Sequence, residues 1–201
     1  MKLYYVPITR AFRVRWLLEE AGEPYELARI SFRSGEHKRP EYLAVHPLGS
    51  VPALVDGDLT IVESNAICMY IADKHIDKGL APSLGTKERA AYYQWMEFAT
   101  ATLEPLIDPA FHRGLWAKPE ERATVATADD HSKLARAAAP VAAVIEKQGF
   151  LAGPGLTAAD IVLGGVLQWA DSVDLLRDLA TLKGYLTKLR ERPAFARAVA
   201  D

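Results

Sequence analysis

The sequence predicts an α/β domain with a mixed four-stranded sheet, followed by an all-α helical bundle domain. Three observations lead to this prediction. A strand, a helix and a second strand fit within residues 1–30, which is the size of a βαβ unit. Two aliphatic runs then flank the Asp56-Gly57 turn and form a hairpin ahead of another helix. After residue 85 only helical patterns follow, without an alternating run long enough for a sheet.

Local patterns set the elements of the first domain. Pro7 ends the first strand, and Gly22 ends the amphipathic helix that follows it. A crossover helix between strands requires parallel pairing and a right-handed connection. The predicted elements are strand 2–6, helix 11–21, strand 25–30, a charged loop 31–40, a helical turn at 40–43, strands 51–55 and 59–62, and helix 64–76.

The second half of the chain is predicted to be helical throughout. Residues 77–85, with two glycines and a proline, form a linker, so the domains are 1–76 and 86–201. Helix 87–107 is apolar nearly all round and should be buried on more than one side, against the first domain and against a second subunit. A helix should run from Pro119 towards Gln148. Thr157 and Asp160 form a capping box ahead of an apolar helix, which should lie at the core of this domain.

Composition and charge exclude several classes of function. The 201 residues carry 24 basic and 26 acidic side chains, a formal net charge of −2, so a nucleic-acid partner is not expected. The single cysteine excludes an intrachain disulfide framework and indicates a reducing compartment. No apolar run is long enough to span a bilayer, and the N-terminus lacks a signal-peptide pattern. We therefore expect a soluble, cytoplasmic protein without a membrane partner.

Common catalytic motifs are missing from the sequence. The five histidines do not have metal-ligand spacing, so no metal is assigned. No phosphate-cradling glycine pattern follows a strand. There is no Cys-x-x-Cys dithiol either, so any sulfur chemistry needs a thiol that arrives with a substrate.

The strongest candidate for a binding site lies in the run 50–67. Pro52 cannot donate to a strand ladder, so it should open its strand and leave the backbone groups of Val51 for another partner; Val51-Pro52 is also a candidate cis peptide. Ser64 lies where a helix N-cap belongs, and a helix N-terminus attracts a carboxylate. The alternative is that Ser64 only caps its helix and that Glu63 is solvated.

Val-Pro-Ala-Leu at 51–54 and Glu-Ser-Asn-Ala-Ile at 63–67 resemble the glutathione-binding core of the cytosolic glutathione S-transferases. The resemblance implies a thioredoxin-like first domain, glutathione as co-substrate, and transfer of its thiolate to small hydrophobic electrophiles. It also implies that Val51, beside Pro52, pairs with the cysteinyl part of glutathione, and that Glu63 and Ser64 hold the γ-glutamyl end. The capping box lies where the family has one, so the resemblance spans essentially the whole chain.

Further ligands are implied by the same resemblance. His37, Lys38 and Ser50 are placed to hold the glycyl carboxylate, although a charged loop is commonly a solvated surface. A homodimer is expected, with Glu97 reaching across it to the γ-glutamyl ammonium; a salt bridge at the rim of the interface is the alternative for Glu97.

Three residues are candidates for activating the thiol. Thr9 matches the serine of the Ser-type classes of the family, and Arg10 occupies the position that is cysteine in the bacterial Cys-type class. Tyr5 is the third candidate. The alternatives are that Thr9 only caps the helix at Ala11, that Arg10 is solvated, and that the Tyr5 ring lies in the core.

The electrophile is expected in an apolar cleft beside the glutathione sulfur. Its predicted walls are the loop 5–12 and a helix carrying Leu103, Ile107 and Phe111, and Trp116 either closes the cleft or belongs to the core. Haloarenes, epoxides, peroxides and isothiocyanates all remain open as substrates. Two other functions are also open: a non-catalytic ligand-binding or interaction module, and a glutathione-dependent peroxidase or isomerase.

Overall fold

The computed structural model describes residues 1–200, which divide into two compact units. The first unit contains residues 1–80 and the C-terminal helix that begins at Pro193, and the second contains residues 81–192. Along the chain, the first boundary between the units falls between Leu80 and Ala81, inside the linker predicted at 77–85. The units differ from the predicted domains 1–76 and 86–201 because the segment from Pro193 onwards belongs to the first unit. The domain boundaries stay a prediction.

The predicted mixed sheet is confirmed. Its strands are β1 (Lys2–Tyr5), β2 (Glu26–Arg29), β3 (Ala53–Asp56) and β4 (Leu59–Val62), in the order β2-β1-β3-β4. Strands β1 and β2 pair in parallel because a crossover helix connects them, whereas β3 is antiparallel to both β1 and β4. Gly57, at φ 64°, supplies the left-handed residue of the β3–β4 turn.

The helices largely follow the predicted pattern. They are α1 (Ala11–Ala21), α2 (Pro40–Leu43), α3 (Ser64–Lys74), α4 (Lys87–Glu97), α5 (Glu104–Trp116), α6 (Ala128–Gln148), α7 (Ala158–Ser172), α8 (Ala180–Arg190) and α9 (Pro193–Val199). Helix α1 has the predicted bounds and ends at the left-handed Gly22. Helices α1 and α3 pack on each other, and Leu3 and Leu54 of the sheet are fully buried.

Helix α9 docks on α1 within the first unit. The Phe195 ring meets the rings of Phe12 and Trp16 edge to face, with centroids 5.4 and 5.0 Å apart. Arg15 donates from Nη2 to the carbonyls of Arg197, at 3.2 Å, and Ala200 at the end of α9. Because aromatic burial and C-terminal carbonyl contacts both stabilise the docked helix, α9 is part of the core of the first unit.

Helix α7 forms the core of the second unit, as predicted. It contacts α4, α5 and α8, and its residues from Ala158 to Leu167 are all buried. The Thr157–Asp160 capping box is confirmed, since Asp160 Oδ2 accepts from the Thr157 N–H at 2.7 Å and from its hydroxyl at 2.8 Å. Asp160 Oδ1 accepts from the Leu151 N–H and from the Tyr185 hydroxyl, so the box is also a buried network.

Two predicted helices differ from the structure. The helix predicted at 87–107 is interrupted by the π-helical segment Phe98–Leu103 between α4 and α5. The helix predicted from Pro119 is wrong, because Pro119–Thr124 forms a 3₁₀ turn and α6 begins at Ala128. The physical reason is a second capping box, in which Thr127 Oγ1 accepts from the Asp130 N–H at 3.1 Å and Asp130 accepts from the Thr127 N–H at 2.8 Å.

Within residues 1–200, no helix combines the length and hydropathy that crossing a bilayer requires.

Candidate functional site

The strand register brings the predicted site residues of the first unit to one edge of the sheet. Ala53 pairs with Val62, so the residues just before β3 and just after β4 leave the hairpin at the same end. Tyr4 also pairs with Ala53, which brings the end of β1 to this edge. Val51, Ser64 and the loop that carries Thr9 therefore emerge together.

Val51 lies immediately outside the sheet. Its side chain is buried, and β3 begins only at Ala53, so Val51 is not one of the residues paired with β1. The Val51-Pro52 peptide bond is cis, which confirms that part of the prediction. The role of the Val51 backbone towards a ligand stays a prediction.

Ser64 is the first residue of α3 and not its N-cap, so the predicted cap assignment is wrong by one residue. The chain turns at Glu63, whose φ is 70° and ψ is 110°; it is the single residue between the end of β4 and the start of α3. The first helical bond runs from the Ile67 N–H to the Glu63 carbonyl at 2.9 Å. No side chain caps this N-terminus, and its positive end therefore remains suited to a carboxylate.

The Glu63 backbone is strained. A non-glycine residue in the left-handed region is uncommon, and such conformations cost on the order of 1 to 3 kcal/mol. The hairpin on one side and α3 on the other hold it there, with the Glu63 side chain exposed. Strain of this kind concentrates at ligand-binding sites, which supports a functional role for the Glu63-Ser64 step.

The candidate residues for the glycyl carboxylate lie on two segments that touch. A Cβ on Gly49, which has φ 59°, would lie only 2.4 Å from the His37 carbonyl oxygen, so the two backbones are in close contact. Ser50 is the next residue, and both it and Lys38 are exposed. The His37 Nδ1 atom is buried and, within residues 1–200, has no hydrogen-bond partner. The structure thus brings His37 and Ser50 into one neighbourhood.

The thiol-activation candidates have different environments. The Thr9 hydroxyl donates to the Val6 carbonyl at 2.7 Å and accepts from the Ala11 N–H at 3.3 Å, so it braces the start of α1. Arg10 is exposed at the N-cap position of α1. The Tyr5 ring is 3% exposed, and the Arg15 guanidinium lies 5.3 Å from its centroid. Thr9 and Arg10 are therefore more accessible than Tyr5.

The candidates in the second unit are mostly interior. Leu103, Ile107 and Phe111 are buried, and Phe111 stacks on Trp169 with centroids 4.3 Å apart. Trp116 is 91% exposed, so it does not belong to the core. Glu97 is exposed at the end of α4. Their places in an acceptor cleft and in a dimer stay predictions.

Cys68 is unsuited to be the reacting sulfur. It is fully buried in α3, and burial raises the pKa of its thiol to about 12. A buried, protonated thiol is a poor nucleophile, so a thiol reaction at this site requires sulfur from a bound substrate. Among residues 1–200 no group of three or more His, Cys, Asp or Glu side chains could hold a metal ion.

Sequence reasoning missed two features near the site. Ile8, just before Thr9, has φ 64° and is 65% exposed, although a β-branched residue rarely adopts this conformation. Tyr42 donates from its hydroxyl to the Ser50 carbonyl, next to Val51. The sequence offers no local pattern for Ile8, whereas the Pro47-Leu48-Gly49 turn signal could have drawn attention to the loop that Tyr42 holds.

Comparisons with known proteins agree with this geometry. Residues 1–73 match the family model of the glutathione S-transferase N-terminal domain, and residues 124–199 match that of the C-terminal domain. Probable glutathione S-transferase GSTF2 of Oryza sativa subsp. japonica is 33% identical over 96% of this chain and 93% of its own length.

Solved structures give the same result. Poplar glutathione transferase F1 is 28% identical, with a TM-score of 0.84 over 98% of this chain and 95% of its own. A sphingomonad glutathione S-transferase complexed with glutathione is 25% identical, with a TM-score of 0.79 over 99% of this chain and 97% of its own. By sequence and by structure, the chain therefore belongs to the glutathione S-transferase family and is a transferase.

Proposed function

We propose that this chain conjugates the thiolate of glutathione to small hydrophobic electrophiles, with glutathione as co-substrate and without a metal. The observation that carries the proposal is the convergence of three backbone features at one sheet edge. These are Val51 outside the β3 ladder, the strained Glu63, and the N-terminus of α3 without a side-chain cap. The glutathione complex of the sphingomonad relative supports glutathione as the ligand.

Each end of the tripeptide has a chemical match at this edge. The Val51 backbone pairs with the cysteinyl part of glutathione, and Pro52 fixes the chain beside it. Glu63 binds the α-ammonium of the γ-glutamyl group, while Ser64 and the α3 N-terminus bind its α-carboxylate. His37, Lys38 and Ser50 take the glycyl carboxylate. Of these, His37 and Ser50 are supported by the Gly49–His37 contact.

Ser64→Ala should weaken glutathione binding about 10- to 100-fold. The reason is that a charge-assisted hydrogen bond contributes about 1.5 to 3 kcal/mol. Isothermal titration with glutathione measures the effect. Ser132→Ala, on the exposed surface of α6, is the matched control and should keep wild-type affinity. Equal affinities for Ser64→Ala and wild type would remove Ser64 from the site.

We assign activation of the thiol to Thr9, assisted by the charge of Arg10 and the N-terminus of α1. A free thiol has a pKa of about 8.5, so only a few per cent is ionised at neutral pH without such help. In the structure the Thr9 hydroxyl donates its proton to the Val6 carbonyl, with the two oxygens 2.7 Å apart. Serving the thiolate requires the hydroxyl to rotate this proton towards the sulfur, which a three-fold hydroxyl rotor permits.

Thr9→Val should raise the thiol pKa of bound glutathione by about one unit. One unit corresponds to about 1.4 kcal/mol, which is the scale of one lost hydrogen bond. Thiolate absorbance in the ultraviolet, followed against pH, measures the shift, and Thr9→Ser should retain the wild-type value. Thr9→Val could instead give the wild-type thiol pKa while Arg10→Ala or Tyr5→Phe gives a raised one. The role would then belong to Arg10 or Tyr5.

The acceptor remains a class and not a compound. We propose a hydrophobic electrophile near Leu103, Ile107, Phe111 and Trp116; of these, Trp116 has the exposure that a ligand contact needs. A panel of haloarenes, epoxides, peroxides and isothiocyanates would identify the reaction. Glutathione binding without turnover of any member would favour the non-catalytic binding module, and turnover of peroxides alone would favour a peroxidase.

We also propose a homodimer in the cytoplasm. Most of the apolar side chains of α4 are already buried within the chain, including Tyr92, Trp95 and Met96, so they do not require a partner. Support comes from Tyr93, 42% exposed, and from Glu97 one turn further along α4. Light scattering at micromolar concentration should give twice the mass of one chain, and the mass of one chain would exclude both the dimer and the reach of Glu97 across it.

A reducing compartment suits the free, buried Cys68.

A further inference from the structure

Tyr42 is a buried tyrosine beside the sheet edge that carries Val51 and Ser64, and it has no role in the proposed reaction. It lies in the short helix α2, is 5% exposed, and its ring contacts that of Tyr4 at 5.3 Å between centroids. It also stacks on the His46 ring, with planes 27° apart and centroids 6.5 Å apart. Its hydroxyl donates to the Ser50 carbonyl through a short hydrogen bond.

The loop between α2 and β3 is held at several points. The His46 N–H donates to the Tyr42 carbonyl at 2.8 Å, and the His46 side chain accepts from the Leu48 N–H at 3.3 Å. Gly49 donates to the His46 carbonyl at 2.8 Å and presses against the His37 backbone. The Tyr42 hydroxyl binds the Ser50 carbonyl, and Ser50 is the residue directly before Val51.

The Ser50 carbonyl and the Val51 N–H belong to the same peptide unit. A peptide unit is planar, and in the trans form its C=O and N–H point in opposite directions. The cis bond of this loop is the next one, Val51-Pro52. Holding the Ser50 oxygen towards Tyr42 therefore directs the Val51 N–H away from Tyr42. Accepting a hydrogen bond at the oxygen also polarises the amide and strengthens the N–H as a donor.

We propose that Tyr42 is a positioning residue for glutathione, because its hydroxyl fixes the direction of the one peptide N–H that meets the cysteinyl part. This inference rests on the proposed role of Val51. Burial raises the pKa of Tyr42 to about 12, so the hydroxyl remains a donor throughout the working pH range. Tyr42 does not touch the reacting sulfur in this scheme and acts through Val51.

Tyr42→Phe removes the hydroxyl and keeps the ring contacts with Tyr4 and His46. The Kd and the KM for glutathione should rise about 3- to 10-fold, the scale of one neutral hydrogen bond. The kcat at saturating glutathione and the thiol pKa of bound glutathione should stay at wild-type values, because the activating group is untouched. In the ligand-free protein the Val51 amide resonance in a ¹⁵N–¹H spectrum should shift.

Tyr70→Phe is the matched control. It also removes one tyrosine hydroxyl from the first unit. This hydroxyl, on α3, donates to the Asp56 carboxylate at the end of β3, 2.7 Å away. Its Kd for glutathione and its Val51 amide resonance should be those of wild type. The thermal midpoints of both variants then separate a loss of stability from a loss of positioning.

The outcomes separate this inference from the proposed function. If wild type does not bind glutathione, or Ser64→Ala binds it as tightly as wild type, the proposed site is wrong and the role of Tyr42 falls with it. If Ser64→Ala weakens binding while Tyr42→Phe keeps the wild-type Kd, the site stands and the inference is wrong. A Tyr42→Phe variant with wild-type Kd and a lowered kcat or a raised thiol pKa also overturns it.

Discussion

Asp160→Asn is expected to lower the free energy of unfolding by about 1 to 3 kcal/mol, the cost of one buried donor left without an acceptor. Asp160 is fully buried, and its two oxygens accept four hydrogen bonds from Leu151, Thr157 and Tyr185. Asparagine has one acceptor oxygen, so its amide nitrogen must face one backbone N–H, which loses its acceptor, and one hydroxyl, which can rotate to accept. Urea unfolding followed by circular dichroism measures the loss.

The chain contains its own control for this prediction. Thr127 and Asp130 form the same capping box at the start of α6, but Thr127 is exposed and Asp130 is only partly buried. Asp130→Asn should therefore cost about 0.5 to 2 kcal/mol, the usual range for a cap, although it also weakens the contact with Arg113. Similar losses for both variants would show that burial of the Asp160 network adds nothing to an ordinary cap.

Phe195→Ala is expected to destabilise the first unit by about 3 to 5 kcal/mol, the usual cost of removing a buried aromatic ring. The ring is 6% exposed and makes edge-to-face contacts with Phe12 and Trp16 of α1. Truncation leaves a cavity on α1 and removes both aromatic contacts. Hydrogen exchange should show faster exchange of the α1 amides, and urea unfolding should give the loss of free energy.

Phe32→Ala supplies the comparison for this result. Its ring is 42% exposed in the loop after β2, so its removal should cost less than about 1 kcal/mol. If Phe195→Ala loses no more stability than Phe32→Ala, then α9 is a frayed end and not part of the core. Wild-type exchange of the α1 amides in Phe195→Ala would lead to the same conclusion.

Local signals with strong physical causes were readable from the sequence. Gly22 ended α1 at the predicted residue, Gly57 turned the hairpin, and the spacing of Thr157 and Asp160 started α7. The same spacing at Thr127 and Asp130 starts α6, whereas the prediction rests on Pro119, which is a competing helix start. A proline in the first turn is compatible with a 3₁₀ turn as well as an α-helix, so the capping box was the more specific signal.

Tertiary and backbone features were not readable. The left-handed conformations of Glu63 and Ile8 are imposed by the elements on either side, and neither residue type favours them. For the same reason the predicted N-cap, Ser64, is the first residue of α3, and Glu63 occupies the N-cap position. The pairing of Tyr42 with Ser50 and the contact of Gly49 with His37 depend on how the loop folds back, which no short pattern encodes. The site residues could be named as candidates, but their arrangement could not.

The docking of α9 on α1 has a consequence for synthesis of the protein. A ribosome adds about 5 to 20 residues per second, so the roughly 110 residues of the second unit take on the order of 5 to 20 s to translate after the first 80 residues. During that time Phe12 and Trp16 lack the Phe195 ring that covers them in the finished protein. The nascent first unit therefore exposes the aromatic side chains that α9 covers later, and its core closes only after α9 has left the ribosome.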